Sequence, residues 1–385
     1  MTFSLDELLA SETLRHREFP VTKEKIFLAH AGVTALPRTV AEAVTELAVH
    51  GTRGNQEMDR LWPILARARL AAATLIDAHP DEIALLGPTS LGLSLIANGL
   101  EWNPGDELVC YADDYPANVY PWAALESRGV VVQRIRTGKL GALTPQIVEA
   151  HLTDRTRMVC LATVNYLSGY RIDTGAIGTM LQGRNILFCL DGIQSVGQAP
   201  TTMGHADFLS ADSHKWMLGP LAAGIVCIKR KHFGRVTPTL LGAWNVKSPN
   251  FITQEQIDFE ETARRYEPGA VNLLGIAGMT AALELILHLG VDSIRSHLLS
   301  LRGFLAPRLR ERGYDIIDGG ATGESLSAIL TVSHPAKDLK ALAQTLLRNR
   351  VEISSRTLRD GTPVIRFSPH FYNTQAELEQ VLALM

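Results

Sequence analysis

A lysine and an aspartate are the residues of this 385-residue chain whose types and positions could do chemistry. Lys215 lies in the stretch SADSHKWMLGP, just after a short apolar run, and Asp191 ends the apolar run ILFCLD. Side chains at the carboxyl ends of neighbouring parallel strands meet in the crevice where open α/β sheets bind ligands. We therefore expect both side chains to face one crevice. These two residues alone would also be explained by a structural ion pair without any ligand.

A loop of small residues adds a possible anion site to this pair. The sequence Gly87-Pro88-Thr89-Ser90 stands between an apolar run and a helical pattern, where free N–H groups and the helix dipole attract phosphate. A hydroxyl residue there is more often a simple N-cap, and neither a Walker loop nor GxGxxG is present. Lysine, carboxylate and phosphate seat together indicate pyridoxal 5′-phosphate (PLP), whose aldehyde needs a lysine and whose pyridine nitrogen needs a carboxylate. Tyr115 is predicted to stack on the pyridine ring.

The pattern around these residues predicts an α/β domain. Seven short apolar runs alternate with helical stretches between about residues 80 and 230, as in a mostly parallel seven-stranded sheet. The runs are EIALLG, ELVCYA, VVVQRI, RMVCLATV, ILFCL, DFLSA and AGIVCIK. The helical stretches are 90–100, 117–127, 144–152 and 174–182. Residues 231–270 have no regular pattern and are predicted to be a functional or interface loop.

The C-terminal third predicts a smaller α+β domain. Its helical stretches are 272–289, 291–312, 337–349 and 374–384, and its strands are YDII, SAILTV, VEIS and PVIRFS. A short amphipathic helix is predicted at the N-terminus. The expected division is an N-terminal segment 1–30 that packs with the small domain, a large domain 31–271 and a small domain 272–385.

Composition excludes several classes of partner. The formal net charge is -3 and there is no basic run, so no nucleic-acid partner is expected. There is no apolar stretch of the roughly 20 residues that span a bilayer and no secretory pattern, so a cytoplasmic protein without a membrane partner is expected. The four cysteines lie in apolar runs at spacings that match no metal pattern, so no metal site is predicted.

Eight segments carry a resemblance to a known family. They are AHAGVTALP, GPTSLGLSLIANGL, YPANVYPW, VNYLSGYRID, LDGIQSVGQ, SADSHKWMLGP, RRYEPGA and IRFSPHFYN. In this order they resemble the class V aminotransferase family, the cysteine desulfurase and isopenicillin N epimerase-like branch of PLP-dependent fold-type I enzymes. The resemblance covers residues 28 to 373. It implies a homodimer with shared active sites, because in relatives the loop matching RRYEPGA reaches the partner's phosphate.

The resemblance also assigns roles to individual residues. Lys215 would bind the cofactor aldehyde and later carry the proton at Cα, Asp191 would pair with the pyridine nitrogen, and Gln194 would hydrogen-bond the phenolic oxygen. The cofactor contacts that it implies are Thr89, Ser90, Tyr115, Asn165, Asp191, Gln194, Ser213, His214 and Lys215.

Three residues are predicted to bind substrate. Arg366 would hold the substrate α-carboxylate, because a guanidinium fork binds a carboxylate bidentately. His30 would lie on a substrate-facing loop. Arg356, with Arg359, could read a second acidic group or could be a solvated loop charge. Tyr115 stands where many relatives carry a histidine, which leaves a proton-transfer role for it open.

The reaction is less constrained than the cofactor. Desulfurases carry a nucleophilic cysteine before the C-terminal arginine, but the corresponding stretch VEISSRTLRDGTPVIRFSP has none, which disfavours desulfuration. A lyase that eliminates the β-substituent of a cysteine-like free amino acid is favoured, and transamination or epimerisation of the isopenicillin N epimerase type are alternatives. Two hypotheses from other classes are a non-catalytic PLP sensor and a nucleotide-dependent α/β enzyme. The sensor would need a fused helix-turn-helix and the enzyme a glycine fingerprint, and this sequence shows neither pattern.

Overall fold

A computed structural model describes residues 3–56 and 58–385. Its α-helices are α1 (Leu5–Ala10), α2 (Glu12–Glu18), α3 (Val21–Glu24), α4 (Arg38–Gly51), α5 (Met58–Ile76), α6 (Thr89–Gly99), α7 (Tyr120–Ala123), α8 (Pro145–Glu149), α9 (Thr174–Gly183), α10 (Leu273–Leu289), α11 (Val291–Glu311), α12 (Leu339–Arg348) and α13 (Gln375–Ala383). Its strands are β1 (Ile26–Phe27), β2 (Ile83–Ala84), β3 (Glu107–Tyr111), β4 (Val131–Ile135), β5 (Thr156–Ala162), β6 (Leu187–Asp191), β7 (Phe208–Asp212), β8 (Gly224–Ile228), β9 (Asp315–Ile316), β10 (Leu330–Ser333), β11 (Val351–Glu352), β12 (Ser354–Thr357) and β13 (Pro363–Phe367). Short 3₁₀ segments cover Pro80–Glu82, Pro116–Asn118, Ala124–Arg128, Arg230–His232, Pro249–Phe251, Ala263–Tyr266 and Gly323–Ser325.

The seven predicted apolar runs form one seven-stranded sheet. Its order is β2-β8-β7-β6-β5-β3-β4, and the strands from β7 to β4 are parallel to their neighbours. Strand β8 runs antiparallel to both β7 and β2. Every residue of β3, β6, β7 and β8 is buried, as expected for strands covered on both faces. The predicted mostly parallel α/β sheet is confirmed.

Parallel pairing fixes where the chemistry can lie. Ala162 at the end of β5 pairs with Asp191 at the end of β6, and Asp191 pairs with Ser210 near the end of β7. The loops that follow β5, β6 and β7 therefore emerge at one edge of the sheet, which is the ligand-binding edge of an open α/β fold.

Two predicted helices are interrupted, and both breaks have a local cause. The stretch 117–127 forms the short α7 between two 3₁₀ segments, because prolines at 116 and 121 lack the N–H that a continuous helix needs. The N-terminal helix is divided at Ser11, which ends α1 and whose side chain caps α2 by accepting from Leu14 N–H.

The C-terminal part contains a four-stranded antiparallel sheet in the order β12-β13-β10-β9. A separate apolar cluster lies beneath it, with members such as Leu305, Leu346 and Phe367. The predicted run VEIS becomes β11, which pairs in parallel with β1, and β12 was not predicted. This pairing brings the N-terminal segment to the C-terminal part.

Helix α10 lies nearer the large sheet than its sequence position suggests. It packs on α4 and α5 and shares their apolar core, so the domain division at 271 stays a prediction.

Within the described residues, no single helix is long and apolar enough to cross a membrane. Helices α10 and α11 reach that composition only together, and they meet at 80°.

Candidate active site

A cleft of about 820 Å³ opens at the carboxyl edge of the large sheet. Its walls are the loop after β1, the N-terminus of α6, the loop after β3, the end of β6, the turn after β7 and the hairpin β12–β13. Eight residues predicted from the sequence line it: Thr89, Ser90, Tyr115, Asp191, His214, Lys215, Arg356 and Arg366. The fold therefore brings together residues that are far apart in the chain.

Lys215 lies in this cleft as a buried amine without an ionic partner. It follows β7 by three residues, and only 6% of it is exposed. The pKa of Lys215 is lowered to about 8, chiefly by burial. The charge of Asp191 raises this pKa, and the charges of Arg366 and Arg356 lower it. No carboxylate of the described residues lies within 4.0 Å of its Nζ, so the plain ion pair with Asp191 is not formed. An amine with a lowered pKa is unprotonated more often near neutral pH, which suits covalent chemistry with an aldehyde.

Asp191 presents one carboxylate oxygen to the same cleft. Its Oδ1 accepts a hydrogen bond from Ile193 N–H at 3.0 Å, and Asp191 itself lines the cleft. Burial raises the pKa of Asp191 to about 6, against the lowering effects of the Ile193 N–H and of Lys215. The oxygen that Ile193 leaves free can accept a hydrogen bond from a ligand N–H, such as that of a protonated pyridine.

The N-terminus of α6 is fastened to the end of β7. Thr89 Oγ1 accepts from Asp212 N–H at 2.9 Å, and His214 Nδ1 donates to Asp212 Oδ2. A Cβ atom at Gly87 would lie 2.6 Å from Asp212 Oδ1, so only glycine allows this approach. Pro88 precedes the helix without a side-chain cap, which leaves its first N–H groups available to an anion.

Arg366 is a buried cation that the protein does not neutralise. Its side chain donates from Nη1 to Tyr166 O at 2.6 Å and from Nη2 to Ser354 Oγ at 3.2 Å, and its Nε has no partner. Only 1% of Arg366 is exposed, and no carboxylate of the described residues lies within 4.0 Å of its guanidinium. Burial and the nearby charge of Arg356 lower the pKa of Arg366. A buried charge without a counter-charge is costly, so a ligand carboxylate fits this position.

His30, which was predicted to face the substrate, does not line the cleft. His30 is fully buried outside the cleft, its Nε2 hydrogen-bonds Tyr372 Oη at 2.8 Å and its Nδ1 hydrogen-bonds Ser368 O at 3.0 Å. Burial, together with His370, lowers the pKa of His30 well below its ordinary value. Both ring nitrogens are occupied, so His30 is a core residue that joins the N-terminal segment to the C-terminal part.

Three predicted cofactor contacts lie behind the cleft wall instead of lining it. Gln194 donates from Nε2 to Ala31 O at 3.0 Å and accepts from Trp216 Nε1 at 2.8 Å. Ser213 Oγ donates to a backbone carbonyl of the following turn, and Asn165 Oδ1 accepts from backbone N–H groups of its own turn. These side chains hold the wall in place, and their direct contact with a cofactor stays a prediction.

Two further residues at the site were not singled out from the sequence. Tyr166 lines the cleft and meets Tyr115 edge-to-face, with ring centroids 5.3 Å apart at 74°. Asp114 is buried and accepts from Tyr115 N–H at 3.1 Å, from Asn118 Nδ2 at 2.9 Å and from Ala162 N–H at 3.1 Å. Burial, then the charge of Asp191, raises the pKa of Asp114 to about 7. The only sequence signal was their position beside residues already chosen.

The cysteine thiols are remote from this chemistry. All four cysteines are buried in strands of the large sheet, and burial raises the pKa of Cys110 to about 12. The residues that link β12 and β13, 358–362, form a short turn without a cysteine. A thiol that must receive sulfur from a ligand in the cleft is therefore missing from the hairpin.

The cleft residues fit PLP. Lys215 offers an amine without an ionic partner, Asp191 offers a free carboxylate oxygen, and the helix α6 offers N–H groups beside the close approach at Gly87. Tyr115 is 46% exposed, and its ring centroid lies 5.2 Å from Lys215 Nζ, so the ring lies beside the amine that would bind the cofactor aldehyde.

Comparisons with known proteins agree with this geometry. Residues 26–381 match the family model for class V aminotransferases. The chain is 25% identical to a probable cysteine desulfurase of Methanothermobacter thermautotrophicus and 27% identical to an uncharacterized aminotransferase of Bacillus subtilis, each over 94% of both chains. Its fold resembles apo cysteine desulfurase from Thermococcus onnurineus, with a TM-score of 0.88, 22% identity and 97% of both chains covered. It also resembles a cystine C–S lyase solved with its product cysteine persulfide, with a TM-score of 0.84, 21% identity and coverage of 95% of this chain and 98% of that one. The predicted fold type I is confirmed.

Proposed function

Because the chain belongs to the class V aminotransferase family of PLP-dependent enzymes, we propose that it is a C–S lyase that acts on a free cysteine-type amino acid by β-elimination. One observation carries this proposal: the cleft places the unneutralised Arg366 near the amine of Lys215 but holds no cysteine thiol. The substrate would be fixed and deprotonated there, and its sulfur would leave directly to solvent.

The residues of the cleft divide this work among them. Arg366 anchors the α-carboxylate of the substrate with N–H donors that include Nε, which has no partner among the described residues. Lys215, whose pKa is about 8, is basic enough to take the Cα proton and neutral often enough near pH 7 to do so. Asp191 would hold a proton on the pyridine nitrogen of bound PLP through its free carboxylate oxygen. When bound, PLP withdraws electrons from Cα and makes this proton acidic.

Elimination and desulfuration differ in where the sulfur of the substrate goes. Elimination from cysteine needs only water as co-reactant and yields pyruvate, ammonia and sulfide. Desulfuration yields alanine and leaves the sulfur on a thiol of the enzyme. The relatives named as cysteine desulfurases favour this second route, but Cys110, Cys160, Cys189 and Cys227 are all buried. Elimination therefore suits this chain better.

Product analysis tests the proposal. The holoenzyme is incubated with L-cysteine and with L-cystine, and pyruvate, ammonia, alanine and sulfide are quantified beside a Lys215→Ala control. We expect pyruvate and ammonia in equal amounts, no alanine, and no products from the variant. Prior treatment with iodoacetamide should leave the rate unchanged, since each thiol is buried.

Other products would replace the proposal with a stated alternative. Alanine formation that iodoacetamide abolishes would establish desulfuration. A keto acid with the side chain intact would establish transamination, and an inverted enantiomer would establish epimerisation.

A further inference from the structure

The hairpin β12–β13 presents two arginines on one face. Ser354 pairs with Arg366, and Arg356 pairs with Val364, in antiparallel register. Because alternate residues of a strand share a face, Arg356 lies on the same face as Ser354 and is the diagonal neighbour of Arg366. Such diagonal neighbours are about 7–8 Å apart, which long side chains bridge easily. Both arginines line the cleft.

The two arginines differ in depth but share the lack of a counter-charge. Arg366 is buried at the base of the hairpin, whereas Arg356 is exposed toward the mouth of the cleft. Among the residues that the structure describes, no carboxylate lies within 4.0 Å of either guanidinium. Glu352 also lines the cleft, but its carboxylate is bound to Lys25 at 2.8 Å.

The charge of Arg356 affects groups inside the cleft, although its side chain is exposed. It lowers the pKa values of Lys215 and Arg366, so its field reaches both groups. Arg359, three residues further on, behaves differently. It forms an ion pair with Asp113 and donates from Nη2 to Ala112 O at 2.8 Å, outside the cleft lining. The hairpin thus contains one arginine that fastens it and one that is left for a ligand.

We propose that Arg356 determines specificity by binding an anionic group on the side chain of the substrate. The preferred substrates would then be α-amino acids whose Cβ substituent ends in a carboxylate, sulfinate or sulfonate. This inference rests on the proposed function only for the anchoring of the α-carboxylate at Arg366. With that group fixed at the base of the hairpin, the side chain extends toward the mouth, where Arg356 lies on the same face. A planar guanidinium binds such oxyanions through paired N–H donors.

Binding to the holoenzyme tests the inference without relying on turnover. Isothermal titration calorimetry compares L-aspartate with L-asparagine and L-glutamate with L-glutamine, because each pair differs mainly in charge. We expect the wild-type protein to bind at least one acid about tenfold more tightly than its amide. Arg356→Gln should reduce this ratio to about one, and Arg356→Lys should keep part of it.

A matched control is available in the same hairpin. Arg359→Gln removes the same charge at a residue that contacts Asp113, so the acid-to-amide ratio should stay as in the wild type. The kcat/KM ratio for S-sulfo-L-cysteine over S-methyl-L-cysteine should change in parallel with the binding ratio in all variants.

Three results would overturn the inference. They are equal wild-type affinities for both acids and their amides, an equal loss for acid and amide in Arg356→Gln, and a fall of the ratio in Arg359→Gln as large as in Arg356→Gln. Failure of the proposed function gives a different result. If no pyruvate forms but the acid preference depends on Arg356, the reaction is wrong and the specificity stands.

Discussion

Replacing Arg366 by methionine is expected to stabilise the free protein while it removes most of the activity. The guanidinium is 1% exposed and contacts only neutral acceptors, the carbonyl of Tyr166 and the hydroxyl of Ser354. Methionine fills a similar volume without a charge and adapts to irregular space. The variant therefore removes an uncompensated charge and also the anchor for the substrate.

The size of both effects follows from the environment of Arg366. Burial, with the charge of Arg356, lowers its pKa to about 9. Because a tenfold change in a proton equilibrium is worth about 1.4 kcal/mol, the charged form is disfavoured by about 5 kcal/mol. The two acceptors left unpaired would cost about 1 kcal/mol each, so the net gain in the free energy of unfolding is about 3 kcal/mol. Loss of a paired, charge-assisted contact should lower kcat/KM at least about 100-fold.

Thermal unfolding of the ligand-free protein and steady-state kinetics measure these two effects. We expect the Tm of Arg366→Met to rise by a few degrees and its kcat/KM to fall. Arg366→Lys is the matched control, because it keeps the charge and loses the fork, so activity should fall without a gain in Tm. A clear fall of Tm in Arg366→Met would show that the protein itself neutralises this cation, and the assignment of Arg366 to a ligand carboxylate would then be refuted.

Three further predictions concern the cofactor side of the cleft. In the cofactor-free protein, an amine-selective reagent should label Lys215 with a midpoint near pH 8, the pKa that burial gives it, and a midpoint above pH 10 would contradict its burial. Tyr115→Phe should keep the affinity for PLP, whereas Tyr115→Ala should weaken it about tenfold in equilibrium dialysis, because only the ring stacks, and equal affinities would exclude stacking. The Tm of the cofactor-free protein should fall as pH rises from about 4 to 7, because folded Asp114, with its pKa of about 7, retains a proton that the unfolded chain releases. Asp114→Asn should flatten this fall, and an unchanged slope would show that Asp114 does not titrate there.

The large sheet was predictable because its strands are buried on both faces. Runs such as ELVCYA and ILFCL are continuously apolar, and each became a fully buried strand. The stretch 117–127 is not one continuous helix, and the prolines at 116 and 121 carry the signal for its interruption in the sequence itself. Strand β12 carries polar residues that only its pairing with β13 makes regular, and no local pattern reveals such a pairing.

Site residues were predictable where a motif lies at the end of a strand. They were not predictable where contacts with residues far away in the chain determine whether a side chain is buried. Lys215 and Asp191 follow strand ends, so topology alone brings them to one edge. The burial of His30 depends on Tyr372, which is 342 positions away in the chain. A histidine in a loop-like sequence looks the same whether it faces a ligand or the core. The missing counter-charge of Arg366 likewise appears only when all neighbouring side chains are in place.

Reduction of the holoenzyme with sodium borohydride, followed by peptide mass mapping, tests the central claim most directly. We expect the reduced cofactor to be attached to the peptide that contains Lys215, and Lys215→Ala to retain no covalent label. A label on another lysine, or a holoenzyme from which no labelled peptide is recovered, would contradict the assignment of this cleft as the site of PLP chemistry.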